Sequence, residues 1–337
     1  MKIIFNLAVL FLFQFLSCKQ ASESPQPSPL PGSQQKQKKD KTGTANIVFR
    51  SADGGQTWQD ISEGLPENFR EDDVQRDGFF ANDNGFYLRT GNGLYHSQRN
   101  STVPFWVKEI FPGQQSRIAP GRTGILAYNY EGQFLQKING TGTWLPAYTN
   151  FREKEIRTIF ETAGGSVFIG CNRGLFRSTN SGKTWKQVQA GGWAMKLVES
   201  NGILLATSQL GIIRSADRGE TWEAVISEGG VGIAVESIQG GFAAITFNTQ
   251  SDSRRVRTSY DGGKTWQAID AGLPPSMNIS SIIQVGENFF CGHPKGIFGS
   301  ADKGKTWKLV LPSIEGKVFH LYSSGNVIYA IPSAGGC

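Results

Sequence analysis

The sequence predicts an all-β chain folded as a seven-bladed β-propeller of four-stranded antiparallel blades, on three observations. An octet of the form Ser-x-Asp-x-Gly-x-Thr-Trp recurs along the chain. Seven tryptophans follow one another at nearly constant spacing, and the apolar segments at the two ends each look like half of one repeat. A period of about 40 residues is that of one four-stranded blade.

Five octets are nearly identical: SADGGQTW at 51–58, STNSGKTW at 178–185, SADRGETW at 215–222, SYDGGKTW at 259–266 and SADKGKTW at 300–307. KINGTGTW at 137–144 is a decayed copy, and a further one keeps only Trp106. Trp58, Trp106, Trp144, Trp185, Trp222, Trp266 and Trp307 stand 48, 38, 41, 37, 44 and 41 residues apart. The third position holds Asp53, Asn139, Asn180, Asp217, Asp261 or Asp302, side chains that fold back onto nearby backbone N–H groups as an Asx-turn. Glycine at the fifth position supplies a backbone conformation that other residues resist. The tryptophan opens the next strand with a large apolar surface for a neighbouring blade. The octet is therefore expected as the hairpin between third and fourth strands, and its carboxylates as structural, with no metal role. Gly-apolar-apolar-x-Ser runs at 93–97, 174–178, 211–215 and 296–300 mark third strands.

Ile47-Val48-Phe49-Arg50 enters directly as a third strand, and two apolar runs, Val318 to Tyr322 and Val327 to Ile331, follow the last tryptophan. The C-terminal pair is expected to join the N-terminal pair in one blade, closing the ring and leaving no open sheet edge.

Residues 1–17 read as a lipoprotein-type signal peptide, with Lys2 ahead of an apolar stretch too short to span a bilayer comfortably. Phe15-Leu16-Ser17-Cys18 resembles a lipobox and makes Cys18 the expected lipidation site; Phe15 replaces the usual leucine, which leaves a cleaved, non-lipidated leader as the alternative. Residues 18–46, rich in Pro, Ser, Gln and Lys, are expected as a disordered tether, and residues 47–337 as the propeller. The location expected is the bacterial cell envelope, with membrane attachment through the lipid. Of the formal charge of +6, Lys2 and the tether carry four, leaving about +2 on the propeller. That excludes a nucleic-acid partner, which demands clustered cationic charge. Cys171, Cys291 and Cys337 match no zinc spacing; ring closure brings Cys291 and Cys337 near each other and leaves a bond between them open.

The octets resemble the Asp-box, or BNR, repeat over residues 47–337. With Gly64-Leu65-Pro66 after Trp58 and Gly272-Leu273-Pro274 after Trp266, the chain is similar to photosystem II assembly-factor-like propellers and to those of xyloglucanases and sortilin-type receptors. The resemblance implies the fold and leaves function open, since those relatives include hydrolases, receptors and assembly factors.

A functional site is expected on the face opposite the octets, around the channel mouth. The candidate binding residues are Arg89, Arg117, Arg152, Arg157, Arg173, His293 and Lys295. Arginine forks carboxylates bidentately, so an anionic or polyhydroxylated partner is expected, a protein or a glycan. No catalytic residue and no cofactor is assigned, and a monomer is expected. The alternative is a glycoside hydrolase using mouth carboxylates such as Asp72, Asp73, Glu153 and Glu155. Within it a xyloglucanase-like enzyme precedes a sialidase. The sialidase-like Arg117-Ile118-Ala119-Pro120 carries an extra Ala119, and classical sialidases have six blades.

Overall fold

In a computed structural model of the chain the described residues are 46–67, 69, 77–91, 93–113, 115, 117–138 and 142–334. The leader, the tether as far as residue 45, Cys18, Asp72, Asp73, Asn139 and Cys337 lie outside them. The described residues form seven sheets of four antiparallel strands and no helix.

Blade 1 is the split one. Its inner strands Val318–Ser324 and Val327–Ser333 are C-terminal, and its outer strands Phe49–Ser51 and Gln59–Asp60 are N-terminal. Phe49 pairs with Ala330 and Ser51 with Ile328, so the two chain ends are hydrogen-bonded into one sheet. The remaining blades follow in chain order, with innermost strands Phe79–Asn82, Arg117–Gly121, Ile156–Glu161, Ala194–Ser200, Gly229–Ile238 and Ser281–Val285. Each innermost strand contacts the next, and that of blade 1 contacts both the second and the seventh, so the ring is shut.

The octets do what their chemistry dictates. In the first, the Ser51 hydroxyl donates to Asp53 Oδ1 at 2.8 Å and accepts from the Gly55 amide at 2.8 Å. Asp53 Oδ1 also accepts from the amides of Gln56 and Thr57, while the Thr57 hydroxyl donates to Oδ2 at 2.5 Å. The same set recurs around Asp217, Asp261 and Asp302. Gly55 has φ +85°, and a Cβ there would lie 2.3 Å from the Phe290 ring of blade 7. Each octet tryptophan packs in the seam between its own blade and the preceding one, and the seven apolar clusters are these seven seams.

The predicted third strands are Gly93–Ser97, Gly174–Ser178, Gly211–Ser215 and Gly296–Ser300, residue for residue. Their leading glycine has its own cause. At Gly174, Gly211 and Gly296 the fourth strand crosses so closely that a Cβ would lie 2.0–2.1 Å from a carbonyl oxygen. The register shifts at that end of each third strand, just after the glycine.

Candidate functional site

Innermost strands begin on the face opposite the octets, so the residues at their starts ring the channel mouth. Arg117 opens the innermost strand of blade 3, and Arg157 is the second residue of that of blade 4. Trp193 immediately precedes the innermost strand of blade 5, and Asp77 lies just ahead of that of blade 2. All four line one cavity of about 290 Å³. Arg117 donates to the Ile156 carbonyl through Nη1, and Arg157 donates through Nε to Asn172 Oδ1 at 2.7 Å. Neither acceptor is charged, and among the described residues neither arginine belongs to an ion pair. The Tyr128 hydroxyl, fully buried, donates to the Arg157 carbonyl at 3.4 Å. Burial, with the Asp77 charge nearby, pushes that phenol well above its ordinary range.

The other predicted face residues stand apart from this cavity. Arg173 donates through Nη1 alone to Glu153, 3.0 Å from Oε1 and 2.9 Å from Oε2. Arg152 is exposed and reaches the Thr149 carbonyl at 3.4 Å. Arg89 lies within a second strand, its guanidinium 5.6 Å from the Phe111 ring centroid, and burial lowers its pKa. His293 is only 2 % exposed. Its Nε2 lies 2.9 Å from the Pro274 carbonyl, and Nδ1 accepts from the Lys295 amide at 3.0 Å. With Nδ1 accepting, the proton sits on Nε2, and both nitrogens are used in fixing a turn to the Gly272-Leu273-Pro274 loop. The Lys295 side chain at that turn is exposed. Of the carboxylates offered for hydrolysis, Glu153 is held by Arg173, and Glu155 accepts from the Tyr130 hydroxyl at 3.2 Å.

Beneath the mouth lies a second cavity, of about 280 Å³, which shares Asp77, Met195 and Ile233 with the first. Here Lys196 of blade 5 pairs with Glu236 of blade 6. The Lys196 ammonium stands 5.9 Å from the Tyr322 ring, which meets Phe79 edge-on at 5.0 Å. Burial opposes the ammonium, but Glu236, Tyr322 and Asp77 together more than offset it and Lys196 titrates above its usual range. Among the described residues no group of three or more His, Cys, Asp and Glu could hold a metal ion.

The sequence reading found Arg117 and Arg157 and passed over Trp193, Asp77, Lys196, Glu236 and Tyr322. One signal was available: Trp193 is the eighth tryptophan, outside the repeat spacing and with no octet before it. Lys196 and Glu236 are charged residues of innermost strands that line the axial cavity, which is visible only once those strands are placed.

No protein-family model matches the sequence, and neither does any curated protein. Solved structures do resemble the fold. The GH74 xyloglucanase from Xanthomonas campestris aligns with TM-score 0.53 at 14% identity, over 73% of this chain and 48% of that one. YCF48 bound to D1 peptide aligns with TM-score 0.54 at 14% identity, over 86% of this chain and 88% of that one. The extracellular domain of a putative one-component system of B. thetaiotaomicron aligns with TM-score 0.55 at 10% identity, over 75% of this chain and 37% of that one. The chain therefore spans under half the length of the xyloglucanase and the sensor domain. These likenesses show the fold, a seven-bladed propeller with four-stranded blades.

Proposed function

We propose that this is a non-catalytic propeller, held at the bacterial envelope through Cys18 and the 18–46 tether, that binds a partner segment bearing a carboxylate at its channel mouth. One observation carries the reading. Arg117 and Arg157 come from adjacent blades, line one cavity, and are anchored by neutral oxygens instead of carboxylates. A guanidinium has five donors in a fixed fork, and one donor spent on a neutral acceptor orients it while leaving the rest for an anion. Trp193 beside them adds the rigid, amphipathic surface that interfaces favour. The outer Arg173 stands apart from the cavity with its charge already paired to the Glu153 carboxylate, and serves as the contrast. A peptide-bound propeller of nearly the same length among the structural relatives supports a protein segment over a glycan.

The test is capture from envelope extracts by the full chain. The partner should be retained by wild type and by Arg173→Ala. It should be lost at least about tenfold from Arg117→Ala/Arg157→Ala, the loss of roughly one charge-assisted contact. Equal capture by all three proteins would sink the proposal. Fractionation of the same cells tests the anchor: Cys18→Ala should leave the membrane pellet. The hydrolase alternative predicts instead turnover of a xyloglucan oligosaccharide, abolished by Glu155→Gln.

A further inference from the structure

We infer that the axial cavity beneath the mouth is a second site, for a small neutral polyhydroxylated ligand of about one sugar ring. This stands independently of the partner reading, since it uses different residues and a different chemistry.

Size and access come first. At about 280 Å³ the cavity is at the small end of the roughly 300–1,000 Å³ range of small-ligand pockets, too small for a folded partner. Because it shares walls with the mouth cavity, a ligand enters along the propeller axis, past Trp193.

Charge then selects the class. Lys196 and Glu236 pair across adjacent blades, and Asp77 and Arg254 in the same wall are likewise opposite in sign, so the lining offers an ionic ligand no net charge and would make it compete with the existing pair. A neutral ligand does not compete with it. It meets an ammonium donor beside a carboxylate acceptor, an arrangement that suits neighbouring hydroxyls, each of which donates and accepts. Further polar groups line the wall: His320, with Nε2 3.1 Å from Ser333 Oγ, and Ser280 and Ser281, whose hydroxyls donate to the Phe319 carbonyl at 2.6 and 3.1 Å and so face a ligand through oxygen lone pairs. Arg254, also in the wall, directs Nη1 at the Ile279 carbonyl at 2.9 Å, which holds its guanidinium in place.

The apolar part of the wall combines aliphatic side chains, Met195, Ile233, Leu321 and Ile331 among them, with an aromatic pair. Tyr322 and Phe79 form an edge-to-face pair at 5.0 Å centroid separation. The C–H-rich face of a sugar ring packs on such a surface while its hydroxyl rim reaches the polar groups. The polar residues come from blades 5, 6, 7 and 1, so the site exists only in the closed ring.

Saturation-transfer NMR on the full chain with D-glucose, D-galactose, D-xylose and N-acetyl-D-glucosamine tests this. At least one sugar should bind with a Kd of about 1 mM or below. Glu236→Gln should weaken it at least about tenfold, the loss of one hydrogen bond to a charged group. Since that variant leaves Lys196 without its partner, Lys196→Met/Glu236→Leu, which removes both charges, is measured beside it and should also fail to bind while keeping the wild-type near-UV CD spectrum. Arg117→Ala/Arg157→Ala should bind the sugar as wild type does, which separates this site from the mouth. The inference is overturned if no sugar binds wild type, if both axial variants bind unchanged, or if the mouth variant loses the sugar as they do.

Discussion

An octet aspartate carries four hydrogen bonds on two oxygens, and that density has a measurable consequence. The Thr57 hydroxyl, then the Thr57 amide, hold Asp53 at about 2; Thr306 does the same for Asp302, also at about 2, and Asp217 and Asp261 lie lower still. The folded carboxylates thus bind protons less readily than the unfolded chain does near its ordinary pKa of about 3.9. Their stabilisation is complete above that value and is lost as pH falls from about 4 through the folded values, near about 2 for Asp53 and Asp302 and further down for Asp217 and Asp261. The octet at 178–185 shows how to remove it. Asn180 Oδ1 accepts the Thr184 amide at 2.9 Å, and Nδ2 donates to the Thr184 hydroxyl at 2.8 Å, so the hydroxyl turns round and the loop survives. Changing all four aspartates to asparagine should therefore give a folded protein whose Tm falls less steeply from pH 5 to pH 2. Thermal melts across that range check it, and parallel slopes would refute it. Residue chemistry of this kind was readable because a repeated turn must satisfy its own backbone. Trp193 and Lys196 were not, because a side chain's direction relative to the axis depends on strand placement.

At the level of the strand and its turn, the seven tryptophans are not equivalent. Trp106 Nε1 donates to the Ile61 carbonyl at 2.6 Å and Trp307 Nε1 to the Ile269 carbonyl at 2.7 Å, both in the preceding blade. Both acceptors lie three residues before a Gly-Leu-Pro loop, and the buried Leu65 and Leu273 of those loops join the same clusters as the two indoles. The loop thus closes a lid over an inserted indole, which gives a physical reason for the motif. Trp185 instead reaches Asn150 Oδ1 at 3.4 Å and is only partly buried. Tryptophan to phenylalanine at 106 or 307 strands a buried carbonyl and should cost about 1–3 kcal/mol, whereas Trp185→Phe should cost well under 1 kcal/mol. Urea midpoints rank them; a Trp185 effect as large as the other two would refute the assignment. Strand boundaries followed closely from the glycine and serine that bracket third strands. Blade 2 keeps only Trp106 of its octet, although Gly93–Ser97 still marks its third strand, and that indole fills the seam with blade 1.

For the molecule as a whole, closure decides everything else, since both proposed sites are assembled around the axis from several blades. Closure rests on one sheet in which Phe49–Ser51 pairs with Val327–Ser333. Buried Leu321, Ile328 and Ala330 fill the seam with blade 7, while Tyr329 and Ile331 fill the seam with blade 2. The C-terminal strands therefore support two seams at once, and removing residues 316–337 would strip both together with the axial wall of His320 and Tyr322. Loss of the cooperative transition is expected from that truncation, but a truncation alone cannot separate missing surface from missing connectivity. A circular permutant does. Joining the end of Val327–Ser333 to Ile47 through a short flexible linker, and opening the chain at the exposed Glu315-Gly316 turn, places all four strands of blade 1 in continuous order. It keeps every seam and changes only where the chain is cut, at a loop-closure cost that grows slowly with linker length. The permutant should unfold in a single transition with a Tm within a few degrees of the parent and retain both binding activities, as measured by calorimetry and the two assays above. An unfolded permutant, or one that binds neither ligand, would mean that the two ends do more than complete a sheet.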